Sequence, residues 1–331
     1  MIEMVARVGA PHTVATGVEK LRRHAQGLGL LWILVGLCAV AVYLSPSFIQ
    51  VGNLLNVGRQ MALFGIVSVG MTFVILTKGI DLSVGSVVGV VAVSTAMMMA
   101  SGLPIPVVVV TSLVMGALCG LFNGVGVVSF NMPPFIMTLG TLVMGRGIAM
   151  TIANGEPQTL GSATDAFAFL GGGFLFGIPV PIWIFAVVAG GAFVVLRFTA
   201  FGRRVYAVGS NAEAARLVGI NVGGTLLWVY VISGVLAALT ALIYVSRLTV
   251  GEPTAGVNLE LDAIAITVIG GTSLFGGTGS IGGTVIGAAI IVVIANILNL
   301  IGISPFTQQI VKGAIIIAAV MLESRRHRLR T

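Results

Sequence analysis

The feature that most constrains this chain is a succession of long apolar runs separated by short polar connections. Most runs are about 17 to 23 residues long, which is the length a helix needs to cross ~30 Å of hydrocarbon. Because the runs are continuous rather than alternating, they exclude a transmembrane β-barrel. The runs are Leu28–Leu44, Met61–Thr77, Val84–Ala100, Pro106–Val128, Pro134–Ala153, Val180–Leu196, Thr225–Ser246, Ala263–Leu274, Gly282–Ile301 and Gln309–Leu322.

These runs predict an all-α, polytopic membrane protein with about ten transmembrane helices. The composition agrees, since 57% of the residues are hydrophobic and only 8% are charged, whereas about a quarter of a soluble domain is charged. The 46 glycines indicate close packing of helices. The run that begins at Ala263 is short and leads into a glycine-rich stretch, which predicts a broken or re-entrant segment.

The basic residues predict the orientation of the chain. With ten spans both termini lie on one side, and thirteen of the seventeen Lys and Arg residues fall on that side. By the positive-inside rule, that side is cytoplasmic. No basic groove with interleaved aromatic residues is present, so these charges do not predict a nucleic-acid partner.

The predicted organisation places one membrane domain, residues 28–322, between two cytoplasmic tails, residues 1–27 and 323–331. Residues 197–224 form a cytoplasmic loop, and residues 154–179 and 247–262 form periplasmic loops. The periplasmic loops are mildly acidic and are either solvated connections or a docking surface for an outside protein. Five spans on each side of the 154–179 loop are compatible with an inverted five-plus-five repeat.

The polar stretch Phe201–Gly224 separates two apolar runs and is the main candidate contact surface. Within it, residues 213–218 are predicted to form a short helix. Asn211 is the expected N-cap, Glu213 lies in the first turn, and Gly219 ends the helix. The helix is either a solvated loop element or a surface that another protein binds.

The connection between the second and third runs carries Asp81. A carboxylate between apolar runs is costly in hydrocarbon, so it lies at the interface or is buried for a function. Asp81 either caps the third helix, with Ser83 and Ser86 adding local hydrogen bonds, or belongs to a transport path.

Other polar residues lie in or beside the predicted spans. Each either lines a transport path or makes hydrogen bonds between helices, and Arg146 has the further option of reaching outward to the interface. These residues are Asn123, Asn131, Arg146, Asn296 and Asn299.

No catalytic motif is present. The chain has neither a G-x-x-x-x-G-K-[ST] phosphate loop nor an H-E-x-x-H pair, and all three histidines lie in the tails. We therefore expect no catalytic residue, no metal site and no cofactor on this chain. An intramembrane enzyme is disfavoured, and Cys38 and Cys119 are predicted to be packed thiols.

Three stretches resemble one family. VGMTFVILTKGIDLSVGS (residues 69–86), GRRVYAVGSNAEAARLVGINV (residues 202–222) and LELDAIAITVIGGTSLFGGTGSIGGTVIGA (residues 259–288) are similar to ABC-importer permeases of the ribose, galactose and xylose class. The resemblance extends from about Ser45 to Leu322. Lys78 departs from it, since a small residue or a polar neutral residue is expected there.

The resemblance implies a multi-pass permease of the bacterial inner membrane that translocates a monosaccharide delivered by a periplasmic sugar-binding protein. It implies a second permease copy, either identical or a paralogue, and a cytoplasmic subunit that binds ATP and Mg. The E-A-A-x-x-x-G pattern resembles the coupling helix of importers. The residues expected to contact the ATP-binding subunit are Asn211, Glu213, Ala214, Ala215, Arg216 and Gly219.

The alternative function is an ion-coupled secondary sugar transporter in which Asp81 is the ion site. The residues that would line a path in either case are Asp81, Ser83, Asn123, Arg146, Asn296 and Asn299.

Overall fold

The computed structural model describes residues 17–161 and 164–328. Within them the chain forms thirteen α-helices, four two-residue strands and a 3-10 turn at Pro46–Ile49. The helices are α1 Gly17–Leu44, α2 Val51–Leu76, α3 Val84–Ala100, α4 Ile105–Ser129, α5 Pro134–Ile152, α6 Thr164–Gly172, α7 Val180–Phe198, α8 Ala200–Ser210, α9 Ala212–Leu217, α10 Val222–Leu248, α11 Leu259–Ile269, α12 Ile281–Leu300 and α13 Pro305–Arg328. The strands are β1 Gln158–Thr159, β2 Phe174–Leu175, β3 Ile178–Pro179 and β4 Val250–Gly251.

Six of the described helices are long and apolar enough to cross a membrane, namely α2, α4, α5, α7, α10 and α12. Three more contain shorter apolar stretches, at Gly29–Leu44, Val84–Ala100 and Pro305–Met321. The 11-residue α11 is followed by the glycine-rich connection 270–280, so the predicted broken segment is present. The protein is an all-α, polytopic membrane protein, as the apolar runs predicted.

The longest described spanning helix, α10, defines two ends of the bundle. It begins just after α9 and ends just before β4, and its 27 residues extend about 40 Å at 1.5 Å per residue. We call these the α9 end and the β4 end. At the β4 end, β1 pairs antiparallel with β4, which ties the connection after α5 to the connection after α10.

At the centre of the bundle, α10 packs against α2, α3 and α4, so helices from early in the chain surround a later one. Close approach depends on glycine. A Cβ at Gly116 or Gly120 would overlap backbone carbonyl groups of α10. Small residues on both helices let the backbones touch where lipid supplies no hydrophobic drive between helices.

Two helices begin earlier than the apolar runs predicted. α1 begins at Gly17 rather than Leu28, and residues 1–16 of the predicted tail lie outside the described residues. α2 begins at Val51 rather than Met61, because the polar residues in its first turns have partners. Asn53 and Asn296 exchange hydrogen bonds of 3.0 and 2.8 Å between α2 and α12, and Arg59 lies 4.9 Å from the Phe174 ring centroid.

The connections contain helices that the apolar runs did not predict. In the 154–179 loop, α6 packs against α10 through hydrogen bonds of Ser246 Oγ, which donates to the Phe167 carbonyl and accepts from the Gly171 amide. In the 197–224 loop, α8 precedes α9, and the Thr199 hydroxyl caps it by accepting from the Gly202 amide at 3.2 Å. Both loops therefore contain helices among their described residues.

Candidate functional site

The short helix α9 stands at one end of the bundle and has the caps that the sequence predicted. Asn211 Oδ1 accepts a hydrogen bond from the Ala214 amide at 3.0 Å, and such a cap is worth about 1 kcal/mol. Gly219 has φ +81°, a left-handed conformation that glycine adopts without strain and that ends the helix. The helix is Ala212–Leu217, one residue earlier at each end than expected.

The tip of α9 exposes apolar side chains. Leu217 is 88% exposed and Val218, which follows it, is 76% exposed. On the opposite side, Ala215 is buried with Val208 and Val222, which holds the helix against α8 and α10. Exposed aliphatic side chains on a small, well-anchored helix form a surface suited to an apolar groove on another protein.

Behind α9, the end of α8 is packed against backbone from two other parts of the chain. A Cβ on Gly209 would overlap the carbonyl oxygen of Leu76, the last residue of α2. The same carbonyl oxygen accepts a hydrogen bond of 2.9 Å from the Gly277 amide in the 270–280 connection. We call this meeting of α8, the end of α2 and the 270–280 connection the backbone junction.

Two side chains strengthen the backbone junction. Lys78 Nζ donates to the Ser210 carbonyl at 3.2 Å, and Lys78 itself has φ +65°. Tyr206 Oη donates to the Gly279 carbonyl at 2.9 Å. Burial raises the pKa of the Tyr206 phenol above its ordinary value, against the lowering effect of the nearby Arg197 charge, so the phenol keeps its proton and stays a donor.

Asp81 lies 1% exposed in the connection between α2 and α3, and both of its carboxylate oxygens accept hydrogen bonds. Oδ1 accepts from the Ser83 amide at 3.0 Å and the Ser83 hydroxyl at 2.6 Å, and Oδ2 accepts from the Ser233 hydroxyl of α10 at 2.7 Å. Ser86 Oγ donates to the Ser83 carbonyl at 2.9 Å. The carboxylate therefore fixes the turn before α3 and attaches it to α10.

The Asp81 network continues into two more helices. Asn123 Nδ2 of α4 donates to Ser83 Oγ at 2.8 Å, and Asn123 Oδ1 accepts from Thr141 Oγ1 of α5 at 2.6 Å. Asn123 is fully buried. The geometry corresponds to the helix-to-helix hydrogen bonding that was one of its two sequence interpretations.

The remaining polar candidates are dispersed. Arg146 Nη1 donates to the carbonyls of Pro253 and Ala255 at 2.6 and 3.0 Å, so the side chain reaches the 249–258 connection at the β4 end and holds it on α5. Asn296 is paired with Asn53, as described above. Asn131, between α4 and α5, and Asn299, near the end of α12, are exposed.

The chain matches, over residues 53–320, the family described as branched-chain amino acid transport system, permease component. The chain belongs to this permease family.

Curated relatives of the permease cover nearly its whole length. It is 46% identical to the ribose import permease protein RbsC of Haemophilus influenzae, over 88% of this chain and 91% of that protein. It is 42% identical to RbsC of Escherichia coli K12, over 88% and 92%. It is 37% identical to the xylose transport system permease protein XylH of the same organism, over 85% and 87%. No solved structure matches the chain significantly.

The structure of the permease also places side by side two residues that the sequence did not predict to be in contact. Asp262 was assigned to an acidic outer loop and Lys312 to a span, but Lys312 Nζ lies 3.0 Å from Asp262 Oδ2, joining α11 to α13. The signal in the sequence was a lone charge inside an apolar run, which requires a partner. Within residues 17–161 and 164–328, no cluster of three metal-ligating side chains is found.

Proposed function

We propose that this permease is the membrane-spanning subunit of an ATP-driven ABC importer. It moves a monosaccharide of the ribose, galactose or xylose type from a periplasmic binding protein into the cytoplasm. The identities of 46% and 42% to ribose import permeases and 37% to a xylose permease support the substrate class.

The observation that carries the proposal is α9, with its exposed Leu217 and Val218 and its anchored base. The helix contacts a groove on a separate cytoplasmic subunit that binds ATP and Mg, since this chain has no phosphate loop. Glu213 and Arg216, 3.2 Å apart and exposed, lie at the edge of that contact. In the membrane the complex contains a second permease copy.

The distribution of basic residues supports the orientation. Helix α8 contains Arg203 and Arg204, α9 contains Arg216, and both tails of the chain are basic. We place the α9 end and both termini in the cytoplasm of the bacterial cell, and the β4 end on the periplasmic side, facing the binding protein.

The backbone junction supplies a route for the coupling. α8 touches the end of α2 and the 270–280 connection through backbone atoms, with the Leu76 carbonyl oxygen shared between them. Backbone contacts of this kind have little freedom to slide, because no rotamer change can absorb a displacement. A movement imposed on α9 by the ATP-binding subunit therefore shifts α2 and the segment after α11 together.

The ion-coupled alternative gains no support from the curated relatives, which are import and transport permeases related to the family above. The hydrogen bonding of Asp81 also disfavours it. Oδ1 accepts two hydrogen bonds and Oδ2 accepts one, all from protein donors, so only one acceptor position of the carboxylate is left for an ion.

Reconstitution into liposomes tests the proposal. Ribose or xylose uptake should require the ATP-binding subunit, the binding protein and ATP, and should persist after the ion gradient is collapsed. Uptake by the permease alone, driven by an ion gradient, would overturn it and favour the alternative.

Variants of α9 test the coupling contact. Glu213→Lys reverses an exposed charge, and Gly219→Leu places a branched side chain at φ +81°. Both should reach the membrane but lose uptake-coupled ATP hydrolysis and retain less ATP-binding subunit on purification. Glu156→Lys, the same reversal on an exposed residue near the β4 end, is the matched control and should keep that subunit. Normal coupling in both α9 variants would refute the contact.

A further inference from the structure

Near the β4 end, a cavity of about 550 Å³ lies between α2, α3, α10, α11 and α13. Its volume is within the range of small-molecule sites, roughly 300–1,000 Å³. Its wall is mixed, with the rings of Phe64 and Tyr244, the amides of Asn258 and Gln309, and the charged groups of Asp262 and Lys312. A cavity that only resulted from imperfect packing among lipid-facing helices would be lined by apolar groups alone.

The charged pair in this cavity is open to a ligand. The Asp262 side chain is 11% exposed and that of Lys312 is 28% exposed, so both reach the cavity while being largely withdrawn from solvent. Among the described residues, the only hydrogen bond of these two charged groups is their mutual bond of 3.0 Å between Lys312 Nζ and Asp262 Oδ2, and the ammonium also lies 5.6 Å from the Phe64 ring centroid. Asp262 Oδ1 and two ammonium N–H groups are left for another partner.

The chemistry of the wall selects the kind of ligand. The two charges cancel, so the cavity attracts neither an anion nor a cation, and it accommodates a neutral molecule. A carboxylate accepts from hydroxyl groups, an ammonium donates to them, and the two amides do both, so several neighbouring hydroxyls can be bound at once. The Tyr244 ring provides apolar surface for the C–H face of a compact ring, whereas the Phe64 ring lies 5.6 Å from the Lys312 ammonium and helps to hold it.

We propose that this cavity binds the transported monosaccharide inside the membrane domain, with Asp262 and Lys312 as hydrogen-bond partners of its hydroxyls and Tyr244 against its apolar face. The proposal rests on the proposed function and adds a site to it. A sugar released at the β4 end would arrive beside the cavity, because Thr254, Gly256 and Asn258 of the 249–258 connection line it. The permease thereby takes part in choosing the sugar.

Gly313 provides a way to fill the cavity. It lines the wall next to Lys312, and a Cβ at this position meets no atom within 4 Å. A side chain can therefore start at this position without a clash at Cβ, and Gly313→Trp adds an indole to the cavity wall. Gly191 of α7 is the matched control, because it is an exposed helix glycine whose Cβ also has open space, and it lies outside the cavity.

The experiment measures radiolabelled ribose and xylose uptake, and ATP hydrolysis, in liposomes that contain the whole complex. Gly313→Trp should lower the number of sugars taken up per ATP hydrolysed by about tenfold or more. A tenfold change is the size of effect expected when one buried hydrogen bond to the sugar is lost. Gly191→Trp should not change that ratio. A Gly313→Trp complex that transports both sugars at the wild-type ratio would overturn the cavity site.

A second measurement keeps the test decisive if Gly313→Trp does not assemble. Gly313→Cys, in a chain with Cys38→Ser and Cys119→Ser, is treated with a membrane-impermeant thiol reagent. Millimolar ribose or xylose should slow the labelling, and labelling that is indifferent to both sugars would overturn the proposal. If the wild-type complex shows no ATP-dependent uptake, the proposed function itself fails, which is a different outcome from normal uptake by a filled cavity.

Discussion

The two ends of the permease are built from different chemistry. At the α9 end, α8, α2 and the 270–280 connection meet through glycines and backbone carbonyls. At the β4 end, α11 and α13 meet through a charged pair beside a cavity. A junction that transmits movement benefits from contacts that cannot rearrange, whereas a site that takes up and releases a solute needs side chains that can exchange partners.

The largest effect is expected from Gly209→Ala, which would break the rigid end. Its methyl group would overlap the Leu76 carbonyl oxygen, which is backbone and already accepts from Gly277, so α8 must move away. We expect a loss of about 1–3 kcal/mol in stability and loss of coupled ATP hydrolysis. Detergent-solubilised Tm and reconstituted ATPase activity measure the two.

Gly190→Ala is the control for that substitution, because a Cβ at Gly190 meets nothing within 4 Å. It should leave both the Tm and the coupling as they are. If Gly209→Ala couples normally, the α9 end is less rigid than its backbone contacts indicate, and the contrast between the two ends fails.

An intermediate effect is expected when the charged pair is altered. Lys312→Met leaves the Asp262 carboxylate without its partner, which costs less than the ~3–5 kcal/mol of a fully buried pair because the cavity admits water. The double variant Asp262→Lys with Lys312→Asp restores the pair in reverse. We expect it to recover the Tm but not the sugar uptake, whereas a pair that only ties α11 to α13 would recover both.

The smallest effects are expected from one change made at each end. Tyr206→Phe removes the bond to the Gly279 carbonyl, and Tyr244→Phe removes a 3.3 Å bond to Glu252 Oε2. Each costs about 0.5–1.5 kcal/mol. Tyr206→Phe should lower coupled ATP hydrolysis and leave the KM for the loaded binding protein unchanged. Tyr244→Phe should raise the sugar concentration that is needed for half-maximal uptake. Identical phenotypes would show that the two ends do not divide these tasks.

The α9 end was predictable from the sequence because its structure is local. The Asn211 cap, the following Ala-rich turn and the Gly219 stop lie within nine residues, and each acts through neighbouring backbone. α8 was missed, since Arg203 and Arg204 break the apolar pattern and its buried face is defined by contacts with the distant Leu76 and Gly277. Local helix capping can be predicted from a single sequence, whereas contacts between distant backbone segments cannot.

The β4 end could not be assembled from the sequence. Asp262 and Lys312 are fifty residues apart, and nothing in either run states that α11 and α13 approach each other. The start of α2 was misjudged for a related reason, because Asn53 lowers the local hydropathy and its partner Asn296 lies 243 residues away. Polar residues in a membrane helix are interpretable only once their partners are known.

The Asn53–Asn296 pair has a consequence for biosynthesis. Asn53 enters the membrane early, and its amide partner is made 243 residues later, which at ~5–20 residues per second takes roughly 10–50 seconds. During this interval Asn53 Nδ2 can donate to the nearby Phe48 carbonyl, a bond of 2.9 Å in the finished fold. The 3-10 turn at Pro46–Ile49 thus supplies a hydrogen-bond acceptor for the Asn53 amide of the nascent chain until α12 has been synthesised.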